Sequence, residues 1–207
     1  MTTSAPKTMQ LYGVPLSGHV HRVQLFLSML GLPFELVTAG QAERKTPEFL
    51  AMNPIGEIPV LRDGDVVLAD STAILVYLAL KYDASGQWLP REPVAAAKVQ
   101  QWLSHASGKI AYGPASARMV KLFGAPLDLE RAKAIAARLF AVLDAELKDR
   151  AFALGAQPSI ADIAAFSYIE HAPEGGVSLD AYPNIRAWLA RVRALPGFVP
   201  MPASNVN

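Results

Sequence analysis

Two stretches of the chain place polar side chains directly in front of a helical pattern. Asp70 and Ser71 precede one apolar helical run, and Ser17 precedes another. The first turn of a helix presents unpaired backbone N–H groups and the positive end of the helix dipole. We therefore predict an anion site at each stretch, a carboxylate site at Asp70 and Ser71 and a site for an anion that the Ser17 hydroxyl can reach.

The elements that position Asp70 and Ser71 form a strand, a hairpin and a helix. Ile58 and Pro59 open a short apolar strand, where a proline is tolerated because its missing N–H is not needed at the first position. Asp63-Gly64 is a two-residue hairpin signal, and residues 66–68 form the returning strand. Apolar residues at helical spacing then follow the cap residues: Ile74, Leu75 and Leu78.

This unit resembles the glutathione transferases. The shared pattern is Asn-Pro-x-Gly-x-Ile-Pro-x-Leu from Asn53, followed by a hairpin and an acid–serine pair at Asp70 and Ser71. The resemblance implies that the peptide bond before Pro59 is cis and that the Ile58 backbone pairs with the cysteine of glutathione. It also implies that the acid–serine pair holds the γ-glutamyl end of glutathione.

The first part of the chain predicts the order β-α-β-α-β-β-α. A strand is predicted over residues 9–12, a helix over 19–30, a strand over 34–37 and a short helix behind Thr46 and Pro47. The strand–helix–strand crossover implies parallel pairing and the later hairpin implies antiparallel pairing. We therefore predict an α/β domain with a mixed four-stranded sheet over residues 8–83, and the resemblance makes it thioredoxin-like.

The second part of the chain is predicted to be helical. Residues 84–93 break the periodicity with prolines and a glycine and are interpreted as a linker. Residues 94–200 show apolar positions at helical spacing throughout. Ser159 and Asp162 form a Ser-x-x-Asp capping box with a structural role. The glutathione transferases that this chain resembles carry such a cap in their helical domain. An all-α C-terminal domain is therefore predicted.

Composition excludes several classes of protein. With 207 residues, 52% of them hydrophobic and 18% charged, the chain can form one large or two small packed domains. A net charge of +1 without a basic block argues against nucleic-acid and membrane partners. The chain has no cysteine, so disulfides and protein thiol mechanisms are excluded. No metal site is predicted, since His19 and His21 are two residues apart on a helix and face different sides. Because the N-terminus lacks an apolar signal segment, a cytoplasmic location is expected.

The resemblance places the chemistry in the loop between the first strand and the first helix. Family members that use serine carry it in the pattern Leu-Tyr-x-x-Pro-x-Ser, which runs here from Leu11 to Ser17. Ser17 is therefore the predicted donor to the glutathione thiolate, and Tyr12 is the alternative because other branches use a tyrosine here. Lowering a thiol pKa of about 8.5 by about two units requires about 2.7 kcal/mol. One charge-assisted hydrogen bond of about 1.5–3 kcal/mol and a helix dipole of about 0.3–1 kcal/mol can supply it.

The resemblance also suggests contacts to the rest of glutathione. His19 lies where some bacterial relatives carry an asparagine that touches glutathione, so it is a candidate second donor. Many relatives have a basic residue where this chain has Glu57, and a carboxylate there would repel the glycine carboxylate of glutathione. Lys45 is the predicted replacement, with Arg44 as the alternative. Arg22 is interpreted as a surface or domain-interface charge.

Together these features resemble a bacterial cytosolic glutathione S-transferase of the serine type. The resemblance implies glutathione as co-substrate, a homodimer, and attack of the thiolate on a small apolar electrophile, as in detoxification. Two alternatives stay open: a glutathione-dependent disulfide or peroxide reductase, and a non-catalytic member that binds ligands. The electrophile is predicted to meet a wall formed by Tyr112, Arg118 and Met119.

Overall fold

The computed structural model describes residues 8–204, and the first part of this range forms one sheet. Its strands are β1 (Met9–Gly13), β2 (Phe34–Thr38), β3 (Val60–Asp63) and β4 (Val66–Ala69), in the spatial order β2-β1-β3-β4. β1 pairs with β2 in parallel, whereas β1 with β3 and β3 with β4 are antiparallel. The predicted mixed four-stranded sheet is therefore confirmed.

Three helices accompany this sheet: α1 (Gly18–Met29), α2 (Pro47–Met52) and α3 (Ser71–Tyr82). The predicted start of α2 is confirmed, because Thr46 accepts a hydrogen bond from the N–H of Phe49 and Pro47 occupies the first turn. A 3₁₀ turn, Glu43–Lys45, precedes α2. The sequence placed both ends of α1 one residue too late, which is the usual error for helix ends.

The second part of the chain is helical, as predicted. Its helices are α4 (Pro93–His105), α5 (Ser116–Phe123), α6 (Leu129–Leu147), α7 (Ile160–Glu170) and α8 (Pro183–Arg193), with a 3₁₀ turn at Ala172–Gly175. The ten-residue π-helical segment between α4 and α5, Ala106–Ala115, was not predicted. It brings Gly113 so close to α6 that a Cβ there would lie 3.0 Å from the backbone nitrogen of Ala136. Among the described helices, none is long and apolar enough to cross a membrane.

Helix α7 lies at the centre of the molecule. Every residue from Ile160 to Ile169 is buried, and α7 packs against α1, α3 and α4. A helix that is buried on all sides has no polar face, which explains why its sequence shows no amphipathic pattern. The main core is continuous across this helix, from the sheet side to the helical side. Side chains of α7 therefore help to fix the positions of α1 and α3.

The capping box at the start of α7 is present as predicted. The N–H groups of Ser159 and Ala153 donate to the Asp162 carboxylate at 2.9 and 2.7 Å, and Trp188 Nε1–H of α8 donates at 2.8 Å. Asp162 is fully buried. One carboxylate thus joins the preceding loop, α7 and α8, which gives the capping box the structural role expected of it.

Candidate active site

Ser17 caps the N-terminus of α1. Its Oγ accepts a hydrogen bond from the N–H of Val20 at 3.4 Å, and its own N–H donates to the carbonyl of Val14 at 3.1 Å. The side chain is half-buried. Within residues 8–204 the Ser17 hydroxyl donates to no other group. A hydroxyl with an uncommitted proton at a helix N-terminus can donate to an anion.

The loop that carries Ser17 is held from the helical part of the chain. Arg118 Nη1 donates to the carbonyl of Leu16 at 2.8 Å, and its Nε forms a buried ion pair with Glu174. Although partial burial opposes ionisation, the hydrogen bonds from Arg118 and His171 keep the pKa of Glu174 below its usual value. The position of this loop therefore depends on a charge pair that is remote in sequence.

Gly18 brings α1 into direct contact with α7. A Cβ at Gly18 would lie 2.7 Å from the ring of Tyr168, so only glycine fits beside this ring. The same ring packs edge-on against His19, with centroids 4.9 Å apart. The first turn of α1 is therefore set by an aromatic side chain of α7.

Tyr12, the alternative donor, points elsewhere. Its hydroxyl donates to Gln10 Oε1 at 3.1 Å, and its ring packs edge-on against Phe49. Gln10 lies earlier on the same strand, whereas the loop with Ser17 follows the other end of β1. The Tyr12 hydroxyl thus lies toward the opposite end of the strand from the candidate site.

Asp70 caps α3 in an unusual backbone conformation. Its φ is 69° and its ψ is 120°, and among residues 8–204 it is the one non-glycine residue with positive φ. Such strain is concentrated at functional sites. Oδ1 accepts hydrogen bonds from the N–H and hydroxyl of Thr72 and from the N–H of Ala73, at 2.8, 2.6 and 2.9 Å. Partial burial opposes ionisation, but these bonds outweigh it and lower the pKa of Asp70. The exposed carboxylate keeps Oδ2 available for a cation.

Ser71 is buried between His19 and Arg22. Arg22 Nη1 donates to Ser71 Oγ at 3.2 Å, and His19 Nδ1 lies 3.4 Å from the same oxygen. Burial, with a contribution from the Arg22 charge, lowers the pKa of His19 to about 3, so its ring is neutral at neutral pH. Burial also lowers the pKa of Arg22, to about 10, so the guanidinium remains charged at neutral pH. The surroundings of Ser71 therefore hold one positive charge, on Arg22, and the neighbouring Asp70 carboxylate attracts it.

The Ile58–Pro59 peptide bond is cis, as the resemblance implied. The preceding turn is held by Asn53, whose Nδ2 donates to the carbonyl of Glu57 at 2.8 Å and whose Oδ1 accepts from the N–H of Ile55 at 3.2 Å. Asn53 is itself buried. This turn fixes where the Ile58 backbone enters the sheet.

The strand register brings these stretches to one end of the sheet. Tyr12 of β1 pairs with Val60 of β3, and Val60 pairs with Ala69 of β4. Pro59 and Asp70 are therefore adjacent, and both lie beside the end of β1 from which the loop to α1 departs. The two stretches predicted to bind anions thus meet at one place.

The other predicted site residues differ from one another in exposure and contacts. Lys45 and Glu57 are both exposed, and Arg44 Nε donates to the carbonyl of Gly40 at 3.2 Å. Tyr112 and Met119 are exposed by 67% and 41%. Arg118 is buried and contacts the loop before Ser17 rather than joining the two others in an exposed wall.

A surface cavity of about 990 Å³ lies away from these residues. It is lined by residues of α7, α8 and the segment between them, including Glu170, Arg186 and Arg193. None of the predicted site residues borders it. Within the described part of the chain, no three His, Cys, Asp or Glu side chains are grouped to hold a metal ion.

Of the two alternatives for Arg22, the surface charge is wrong and the domain-interface charge is borne out. The side chain is fully buried, and its guanidinium lies 5.8 Å from the centre of the Tyr168 ring of α7. One signal was available. Arg22 precedes Leu25 and Phe26 by three and four residues, which places it on the core-facing side of α1.

A mixed sheet with a cis-proline before β3, followed by an all-helical part, defines a thioredoxin-like domain with a helical C-terminal domain. Two family models match these parts, the glutathione S-transferase N-terminal domain over residues 11–86 and the glutathione S-transferase C-terminal domain over residues 115–196. Glutathione S-transferase 3 of Zea mays is 34% identical over 205 residues, which cover 92% of this chain and 91% of the relative.

Solved structures agree with these matches. A glutathione S-transferase from Pseudomonas fluorescens superposes with a TM-score of 0.88 at 33% identity, covering 94% of this chain and 99% of that one. A glutathione transferase homologue from Drosophila mojavensis with bound glutathione gives 0.82 at 31% identity, covering 91% and 89%. The chain therefore belongs to the glutathione S-transferase family of enzymes.

Proposed function

We propose that this protein binds glutathione at the cluster formed by Ser17, Ile58, Asp70 and Ser71 and adds its thiolate to small apolar electrophiles. The observation that carries the proposal is the convergence of the α1 and α3 N-termini and the cis-proline turn at one end of the sheet. The glutathione bound in the Drosophila mojavensis homologue supports the choice of ligand.

Each group in the cluster receives a role from its chemistry. The free Oδ2 of Asp70 suits the ammonium of the γ-glutamyl group, and the Ser71 hydroxyl suits its carboxylate. The Ile58 backbone pairs with the cysteine of glutathione, and His19, neutral at neutral pH, is a further hydrogen-bonding partner. These contacts hold the peptide with its sulfur toward the loop that carries Ser17.

Ser17 activates the sulfur by stabilising its anion. Its hydroxyl donates to the thiolate at the N-terminus of α1 and lowers the thiol pKa, while the serine itself stays protonated. The sulfur then forms a bond to the electrophilic carbon, and the leaving group departs with its electron pair. The Tyr12 hydroxyl is the weaker candidate, since it bonds Gln10 at 3.1 Å on the side away from this loop.

Fewer contacts support the two remaining assignments, the residue for the glycine carboxylate of glutathione and the surface for the electrophile. We assign the glycine carboxylate of glutathione to Lys45, because Arg44 Nε is committed to the carbonyl of Gly40. The electrophile is assigned to the surface that includes Tyr112 and Met119, both exposed. Arg118 serves this site by holding the Leu16 carbonyl.

The proposed assembly is a cytoplasmic homodimer of two-domain chains, with residues 8–83 and 94–200 as the domains and 84–93 as the linker. Exposed apolar side chains on the helical part, apart from those assigned to the electrophile, support a subunit interface: Phe123, Leu127 and Val142. Sedimentation at micromolar concentration should give about twice the 22.2 kDa chain mass. A species of the single-chain mass would contradict the dimer.

Parallel assays of the purified protein test the proposed reaction. One uses glutathione with an aromatic chloride, the other glutathione with a mixed disulfide, and calorimetry measures glutathione binding. Conjugation of the chloride is expected. Activity with the disulfide alone would instead indicate a reductase, and binding without either activity would indicate a non-catalytic ligand-binding member.

A further inference from the structure

Within residues 8–204 two arginines are fully buried, and only one of them contacts a carboxylate. Arg118 pairs with Glu174. Arg22 has none of the salt bridges found within residues 8–204, and its Nε and Nη2 have no hydrogen-bond partner there. The Asp70 carboxylate attracts this guanidinium but forms no salt bridge with it. A buried charge without a contacting partner is costly.

Within residues 8–204 the Arg22 side chain makes one hydrogen bond, and the acceptor lies at the N-terminus of α3. Nη1 donates to Ser71 Oγ at 3.2 Å, and Ser71 is the first residue of that helix. Ser71 Oγ accepts from a cation, which polarises its hydroxyl, and with His19 in its Nδ1–H tautomer the hydroxyl proton is available to a ligand. The nearby His19 ring is neutral at neutral pH and adds no charge. The positive potential behind Ser71 therefore comes from Arg22 and the helix dipole, and the Asp70 carboxylate offsets part of it.

We infer that Arg22 is a positioning residue for carboxylate recognition, a buried counter-charge that makes Ser71 a donor for the α-carboxylate of the γ-glutamyl group. This inference rests on the proposed function, since it names a further determinant of the same glutathione site. Arg22 itself is fully buried and acts through Ser71. The effect of Arg22 on affinity should therefore depend on whether the ligand has the carboxylate. A purely structural role would affect ligands with and without the carboxylate equally.

The test compares two peptides that differ only in this carboxylate. Calorimetry measures binding of glutathione and of 4-aminobutanoyl-cysteinyl-glycine, which keeps the ammonium but lacks the α-carboxylate. The wild type should prefer glutathione by roughly ten- to a hundredfold, and Arg22→Met should lose most of that preference. Affinity for the analogue should change by less than about twofold, because the analogue lacks the carboxylate on which Arg22 is inferred to act.

Two further variants secure the result. Arg22→Gln keeps a hydrogen-bond donor but removes the charge, so it should also lose the preference, and it carries the test if Arg22→Met does not fold. The double variant Arg22→Met, Ser71→Ala should bind glutathione about as weakly as the weaker single variant, because both act on one contact.

The outcomes are distinct. An Arg22 variant that keeps the full preference, or that weakens both peptides equally, would overturn the inference and leave Arg22 a structural role. A wild-type protein that binds neither peptide would overturn the proposed function itself.

Discussion

Helices α3 and α7 are both capped by an aspartate side chain, but the two carboxylates have opposite surroundings. Asp162 at α7 is fully buried and accepts bonds at both oxygens, and burial outweighs these bonds and raises its pKa. Asp70 at α3 is exposed, accepts all its bonds at Oδ1 and has a lowered pKa. Both oxygens of Asp162 are used within the protein, whereas Oδ2 of Asp70 accepts no hydrogen bond within residues 8–204.

Two serines at helix N-termini, Ser159 of α7 and Ser17 of α1, show the same contrast. The Ser159 hydroxyl donates to Asp162 at 3.3 Å, so its proton is used within the fold. The Ser17 hydroxyl donates to no group in the described part of the chain, and its Oγ accepts one long bond of 3.4 Å. Capping chemistry alone therefore does not distinguish a structural site from a ligand site. What distinguishes them is whether the donors and acceptors are already satisfied.

The largest effect is expected from Asp162→Ala. This change leaves three buried donors without a partner, the N–H groups of Ala153 and Ser159 and the indole N–H of Trp188. Each such group costs about 1–3 kcal/mol, so the free energy of unfolding should fall by about 3 kcal/mol or more. Urea denaturation measures it. The control is Asp128→Ala at the exposed cap of α6, where the loss should be about 0.5–2 kcal/mol. Equal losses at the two caps would contradict the comparison.

A smaller effect, on binding instead of stability, is expected from Asp70→Asn. The amide keeps the acceptor for the α3 N–H groups but removes the charge that we propose binds the γ-glutamyl ammonium. Glutathione affinity should fall by about 1.5–3 kcal/mol, or roughly ten- to a hundredfold. The free energy of unfolding should change by less than about 1 kcal/mol. Calorimetry and urea denaturation of the same preparation measure both quantities, and unchanged affinity would refute the assignment of Asp70.

The smallest effect concerns the pH dependence of stability, where the two aspartates should have opposite signs. Around the unfolded value of about 3.9, folded Asp70 holds fewer protons than the unfolded chain, because its pKa is lowered. Its contribution is present above that pH and is lost as the pH falls through the lower folded pKa. Asp162 has a raised pKa in the folded state, so above about pH 3.9 the folded chain holds more protons than the unfolded chain. The free energy of unfolding therefore falls as the pH rises from the unfolded pKa through the folded pKa of Asp162.

Urea denaturation between about pH 3 and 6 compares the wild type with Asp70→Asn and with Asp162→Asn. The difference from Asp70→Asn should grow as the pH rises, and the difference from Asp162→Asn should shrink. Slopes of the same sign would show that the two carboxylates do not differ as described.

The parts of this structure that were predictable follow local rules. The hairpin between β3 and β4, the Thr46 and Asp128 caps and the capping box at Ser159 each depend on residues a few positions apart, so the sequence alone could indicate them. The predicted turn residues were wrong by one position, because Asp63 pairs with Val66 and the two-residue turn is Gly64-Asp65. The cis bond before Pro59 came from the family pattern. Helix ends were less certain because end residues are held by weak and competing contacts.

The parts that were not predictable depend on distant partners. Arg118 contacts Leu16 across 102 positions of sequence, and Arg22 packs against Tyr168 of α7. Helical spacing places Arg22 on the core-facing side of α1, but neither spacing nor composition indicates that Arg118 contacts a carboxylate within residues 8–204 and that Arg22 does not. The π-helical segment at Ala106–Ala115 likewise depends on the approach of α6.

The central claim is that the Ser17 hydroxyl stabilises the thiolate of bound glutathione. The direct measurement is a titration of the ultraviolet thiolate absorbance of the glutathione complex in the wild type, Ser17→Ala and Tyr12→Phe. Loss of a hydrogen bond of about 1.5–3 kcal/mol should raise the thiol pKa by roughly one to two units in Ser17→Ala. Turnover at neutral pH should fall by about ten- to a hundredfold, and the deficit should shrink at alkaline pH. Tyr12→Phe should leave the thiol pKa unchanged. A raised thiol pKa in Tyr12→Phe but not in Ser17→Ala would show that Tyr12 is the donor and that the assignment of Ser17 is wrong.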